Sequence, residues 1–197
     1  MMKSNPAYLL VLSIFLAITS VAAKDVKSRL ADTPYQLVYE THIDNNWELF
    51  VSNADGSETR NLTHTPDQHE LYPQVSPDGK RVCYISDKGA GRNTKRSVYV
   101  MSIDGSGRTL VADNARQPCW TNDSDTLIYL PQEYPKWNVV DYYTKGLVYY
   151  HVPSGKSKPH PNSGKLHHRY NPSMSPEGKW IVSTVHAGMG FQHAILL

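Results

Sequence analysis

Apolar positions along this chain fall in short runs of β-branched and aromatic residues, each closed off by Pro, Asp, Ser or Gly. The stretch Tyr72–Ser86, YPQVSPDGKRVCYIS, shows the pattern at its clearest. Pro73-Gln74-Val75-Ser76 is an extended lead, and Pro77-Asp78-Gly79 carries turn chemistry. Proline presets φ, aspartate bonds its own backbone, and glycine takes a positive φ without steric cost. Arg81-Val82-Cys83-Tyr84-Ile85-Ser86 then reads as a strand. The hairpin gains weight because it recurs.

Pro118-Cys119-Trp120-Thr121-Asn122-Asp123-Ser124 repeats the frame before Thr126–Leu130, and Pro172-Ser173-Met174-Ser175-Pro176-Glu177-Gly178 repeats it before Trp180–Ser183. The leading prolines, Pro73, Pro118 and Pro172, lie 45 and 54 residues apart. A second frame is interleaved: LFVSNADGS (49–57), VYVMSIDGS (98–106) and VYYHVPSGK (148–156). Its glycines, Gly56, Gly105 and Gly155, lie 49 and 50 residues apart. Two hairpin frames on one period predict four strands per repeat, the sequence signature of a propeller blade. Helical repeats would need apolar faces of period 3.6, and the repeating part has none.

The pair of motifs resembles the blade repeat of TolB-like β-propellers, a relative of the WD-repeat type found in secreted and periplasmic proteins. The resemblance covers about residues 35–197. It implies an all-β propeller of four-stranded blades, here three blades and part of a fourth. Blades of this kind occur in the TolB translocation protein, in prolyl-oligopeptidase-type peptidases and in oligogalacturonate lyases, so the repeat specifies fold more than function. The third unit departs from the pattern, with Thr121-Asn122-Asp123-Ser124 in place of Ser-Pro-Asp-Gly and a long insertion after it.

Residues 1–23 read as a signal peptide: Lys3, an apolar run from Tyr8 to Val21, and a small-residue cleavage site at Val21-Ala22-Ala23. The apolar run is short for a bilayer span, and the alternative is an uncleaved anchor. Either way the leader is the expected membrane link, and a periplasmic or secreted location follows. Residues 24–34 form a polar lead-in, expected to be loose. The chain after the signal peptide, about 174 residues, suffices for one sizeable core. A formal net charge of +2 lacks the basic excess of nucleic-acid binders. Thirteen tyrosines and thirteen prolines fit a turn-rich β body. Export permits a disulfide between Cys83 and Cys119, while their strand positions equally suit small buried side chains.

Blade one runs from about Tyr35 to Thr63, blade two from Tyr72 to Ala112, blade three from Gln117 to His160, and blade four from Tyr170. The last reaches only the onset of a third strand, so the sequence is expected to be a fragment of a longer chain. A fragment with open blade edges is expected to aggregate or oligomerise. Asp87–Arg96 reads as a Gly-rich, basic, solvated loop, and Trp120 and Trp180 as strand residues of the core.

The histidines carry the candidate chemistry. All but His151 map to loops on one face of the disc, where strands two and three join and where one blade passes to the next. His64, His69, Trp137, His167, His168, Arg169, His186, Gln192 and His193 are therefore the candidate ligand-binding set, with Glu70 beside them. Imidazoles converging on a pocket hold divalent metals or carry protons. The resemblance to oligogalacturonate lyases implies a manganese site, with His167, His168, His186, Gln192 and His193 as candidate ligands. On that reading Arg169 pairs with a uronate carboxylate, and Arg169 and His168 are the catalytic candidates. Exposed loops also collect histidine for no such reason, and no H-x-H or H-E-x-x-H spacing is present. There is no G-x-S-x-G elbow for a serine hydrolase. The reading is a scaffold that binds a protein, peptide or glycan on its loop-rich face, without cofactor. The alternative is a metal-dependent lyase of uronate oligosaccharides.

Overall fold

The computed structural model describes residues 26–132, 144–185 and 194–196. Their strands form four antiparallel sheets. The first holds β1 (Gln36–Ile43), β2 (Asn46–Asn53) and β3 (Arg60–Asn61). The second is β4 (Gln68–Val75), β5 (Arg81–Lys88), β6 (Lys95–Ser102) and β7 (Thr109–Asp113), paired in chain order. The third repeats this with β8 (Ala115–Trp120), β9 (Thr126–Pro131), β10 (Val148–His151) and β11 (Lys156–Pro159). The fourth is β12 (Arg169–Met174), β13 (Ile181–Val185) and β14 (Ala194–Leu196). This is the four-stranded blade repeat, incomplete in the first and fourth units among the described residues.

Contacts divide the chain into two compact units: Met1–Leu37 with Val51–Arg60, and Val38–Phe50 with Asn61–Leu197. In the described part of the smaller unit, residues 26–31 are helical where a loose lead-in was expected. Its turn is built by Asp55, whose Oδ1 accepts from the Ser57 hydroxyl at 2.7 Å and the Ser57 amide at 3.0 Å. The first of those bonds does most to hold the carboxyl below its ordinary range.

In the larger unit the turns carry out what the sequence asks of them. Asp78 Oδ1 accepts from the Ser76 hydroxyl and the Lys80 amide, and Gly79 has φ +74°. The divergent third unit makes the same turn by other means: Asp123 accepts from Thr121, and Ser124 takes φ +62° in glycine's place. These turns also join neighbouring sheets. The Asp78 amide donates to Ser124 Oγ, and Arg81 donates to the Ser124 carbonyl and the Asp125 carboxylate.

Strand β5 is buried along six consecutive residues, and the third sheet packs on one of its faces. Toward the third sheet, Cys83, Val98 and Val100 meet Trp120, Leu127 and Tyr129. On that sheet's far side, Cys119, Ile128, Leu130 and Leu147 meet Met174 and Ile181. Both cysteines are free and buried, so of the two roles open to them the small core side chain is the one adopted. Burial raises both thiols, Cys119 to about 12.

Three expectations shift. Strand β4 starts at Gln68, ahead of the motif, because the β5 ladder extends to Lys88, and this draws His69 and Glu70 into the strand. The Asp87–Arg96 loop shrinks to residues 89–94, since Asp87 and Arg96 face each other across the hairpin and pair at 2.6 and 2.8 Å. Trp180, expected in the core, precedes β13 and is 56 % exposed.

Gly105 is fixed twice over. Its φ is +89°, and a Cβ there would lie 2.9 Å from the Leu62 carbonyl oxygen. Gly105→Ala is expected to lose more than about 1 kcal/mol of stability by urea unfolding; an unchanged midpoint would contradict this packing.

Candidate functional site

The three proline-led strands β4, β8 and β12 each begin their sheet, and they lie side by side. Trp120 Nε1 donates to the Gln74 carbonyl at 3.0 Å, tying β8 to β4. Gln117 Nε2 donates to Asn171 Oδ1 at 2.9 Å, and the Asn171 amide donates to Gln117 Oε1 at 3.0 Å, tying β8 to β12.

Each of them breaks register at one place: between Leu71 and Gln74, Arg116 and Cys119, and Tyr170 and Ser173. The cause is the repeated proline. It has no N–H for the ladder, and in these edge strands it stands at a bulge. The residue before it turns left-handed, with φ +55° at Tyr72, +50° at Gln117 and +51° at Asn171. That conformation costs a non-glycine residue about 1–3 kcal/mol and persists where surroundings enforce it. Here the Gln117–Asn171 bonds do so, and at Tyr72 the backbone amide donates to the Glu40 carboxylate.

The three strained residues border one cavity of about 410 Å³. Tyr72, Gln117 and Asn171 line it with Tyr170, while Ile85 and Pro118 supply apolar surface. Arg96 and Arg116 complete the wall; Arg96 is neutralised by Asp87, and Arg116 is only 4 % exposed. The cavity therefore offers amide and phenol hydrogen-bonding groups, aromatic faces and guanidinium, the mixture that orients polar ligands in a concave site.

The residues picked out from sequence fall elsewhere. His69 lies in β4, where its Nδ1 accepts from the Trp47 amide at 3.2 Å, and Trp47 meets His42 edge-on at 5.2 Å. His64 is exposed in the connection before β4, with φ +50°. His167 donates from Nε2 to the Gly164 carbonyl, and its ring stands 6.4 Å from that of His168. Arg169 lies in β12 and borders a second cavity of about 430 Å³, with Tyr149, His160 and Trp180. Burial lowers the Arg169 pKa, and its backbone is clamped by Thr144 in both directions. Trp137, His186, Gln192 and His193 lie outside the described residues. Among the described residues no three His, Cys, Asp or Glu side chains gather as a metal cluster. Sequence reasoning passed over Tyr72, Gln117 and Asn171. Their one signal was shared position, each directly before a repeat proline.

The fold is a β-propeller. Solved structures similar to the chain include a prolyl endopeptidase (TM-score 0.60, 20 % identity, 81 % of this chain and 24 % of that one). A TolB from Agrobacterium tumefaciens matches with TM-score 0.51 and 19 % identity, over 75 % of this chain and 50 % of that one. An oligogalacturonate lyase from Vibrio parahaemolyticus matches with TM-score 0.50 and 15 % identity, over 74 % and 40 %. The chain thus spans about two fifths of the lyase's length. At such identities the likeness is one of fold alone. No protein-family profile matches the sequence, and no curated protein does.

Proposed function

We propose that this chain is part of an exported, TolB-like propeller that works as a binding scaffold, seating a protein, peptide or glycan at the mouth of its axial cavity. The observation that carries the reading is the ring of pre-proline residues. Three equivalent positions hold strained backbone and line one cavity with hydrogen-bonding side chains. The leader supports export. None of His64, His69, His167 and His168 lines the cavity, and the scaffold needs no cofactor.

Glycan and peptide arrays probed with the full chain test this. A ligand retained by the chain is expected to bind about tenfold more weakly to Asn171→Ala, the loss of one or two hydrogen bonds in a desolvated site. Equal binding by chain and variant would place recognition elsewhere. The competing reading, a manganese-dependent lyase, is separated by pectic oligosaccharides. Unsaturated uronate products forming on addition of manganese would replace the scaffold with an enzyme.

A further inference from the structure

Strand register aligns the second, third and fourth sheets residue by residue. Cys83 pairs with Gln74, Ile128 with Cys119 and Val182 with Ser173, each partner directly following a repeat proline. One position further, the second and third sheets place Tyr84 and Tyr129, 0 % and 8 % exposed, where the fourth places Ser183. Tyr129 helps fill the packing between the second and third sheets. Between the third and fourth, serine supplies no such ring, and Ser183 lines the cavity of about 430 Å³. Leu147, Met174 and Ile181 give that cavity an aliphatic wall.

A second departure falls on the same cavity. Glu70, Ala115 and Arg169 each stand three residues before a repeat proline. Glu70 pairs with Arg108 at 2.9 Å, and Ala115 is buried in a closed core. Among the described residues no carboxylate pairs with Arg169, and its Nε is buried without a hydrogen-bond partner. The Thr144 hydroxyl holds its backbone, accepting from the amide at 2.8 Å and donating to the carbonyl at 2.7 Å. Lys179 adds a second cation to the wall, which among the described residues holds no Asp or Glu. A half-buried guanidinium has lost hydration, and an incoming anion would replace it with charged hydrogen bonds.

His160 contributes a further donor. Its Nδ1 accepts from the Asn162 amide at 3.1 Å, which leaves the N–H of the neutral ring on Nε2. The His160 ring lies 5.8 Å from that of Tyr149, and Trp180 borders the same cavity, 56 % exposed. Cations, aromatic faces and an aliphatic wall together suit an anion with an apolar body. We propose that this cavity binds a carboxylate carrying an apolar ring, the carboxylate on Arg169 and the ring against Tyr149 and Trp180. The site shares no lining residue with the cavity of Tyr72, Gln117 and Asn171, so it stands apart from the scaffold reading.

Cinnamate is the probe, titrated into the full chain and followed by ligand-observed NMR. It is expected to bind with a Kd of about 10⁻³ M or tighter, ordinary for a ligand of its size. Cinnamyl alcohol, which lacks the charge, is expected to bind about tenfold more weakly. Galacturonate, which has the carboxylate but no apolar ring, is expected not to displace cinnamate. Arg169→Gln and Trp180→Ala should each weaken cinnamate about tenfold. Ser183→Tyr, which restores the ring of the other sheets, should abolish binding, and the exposed Glu58→Gln should leave it unchanged. Circular dichroism checks that each variant is folded, and Trp180→Ala, at an exposed side chain, decides the matter if Ser183→Tyr is not. Absent binding, equal binding of the alcohol, displacement by galacturonate, or binding that Trp180→Ala leaves intact overturns the site.

Discussion

Trp120→Ala is expected to lower the unfolding free energy by about 3–5 kcal/mol, the range for removing a large aromatic side chain from a packed core. Trp120 is 7 % exposed and packs with Cys83, Val98 and Leu127 where the second and third sheets meet. It also spans two strands, because its indole N–H bonds the Gln74 carbonyl. Truncation leaves both a cavity and an acceptor without its donor. Trp120→Phe, which restores much of the volume but not the bond, should recover only part of the loss. Urea unfolding followed by circular dichroism makes the comparison. Full recovery by phenylalanine would mean that the bond contributes nothing.

Arg108→Met is expected to cost about 3–5 kcal/mol at neutral pH, because it strands a buried carboxylate. The guanidinium lies 4.9 Å from the Tyr99 ring centre and 5.5 Å from that of Tyr84, and reaches Glu70 across both rings. Burial raises the Glu70 pKa above its ordinary 4.5, even with Arg108 present. The folded state therefore holds this proton more tightly than the unfolded chain. Stability falls as pH rises from about 4.5 through the raised value, and it recovers as pH falls through the same window. Without Arg108 the folded pKa rises further, so the deficit should be largest at neutral pH and shrink toward pH 5. Glu70→Gln combined with Arg108→Met should regain most of the loss. Urea titrations across pH measure this, and a deficit independent of pH would refute the ion pair's role.

The propeller was legible in the sequence because turn chemistry and strand pattern repeat together. Pro73, Pro118 and Pro172 announced the strand that begins each of three sheets. The limits were set by tertiary context. Trp180 reads as core, yet its amide donates to Ser175 Oγ and its carbonyl accepts from the Ser175 amide. It closes a turn where Arg81 does the same in the second sheet, at the exposed end of the ladder. The Asp87–Arg96 stretch reads as loop until the ion pair across the hairpin is seen. Histidine placement gave a face but no convergence: His69 joins Trp47, and His167 stands beside His168. The cavity stayed hidden because Tyr72, Gln117 and Asn171 differ chemically, and left-handed backbone at non-glycine residues leaves no compositional trace.

That same dissimilarity has an evolutionary consequence. Proline creates the bulge, so the fold demands it, whereas the preceding residue takes no part in the regular ladder and is free to change. Tyrosine, glutamine and asparagine occupy equivalent points without altering how the strands pair. If the cavity binds as proposed, its selectivity can be rewritten one blade at a time, with the architecture held constant by the neighbouring proline.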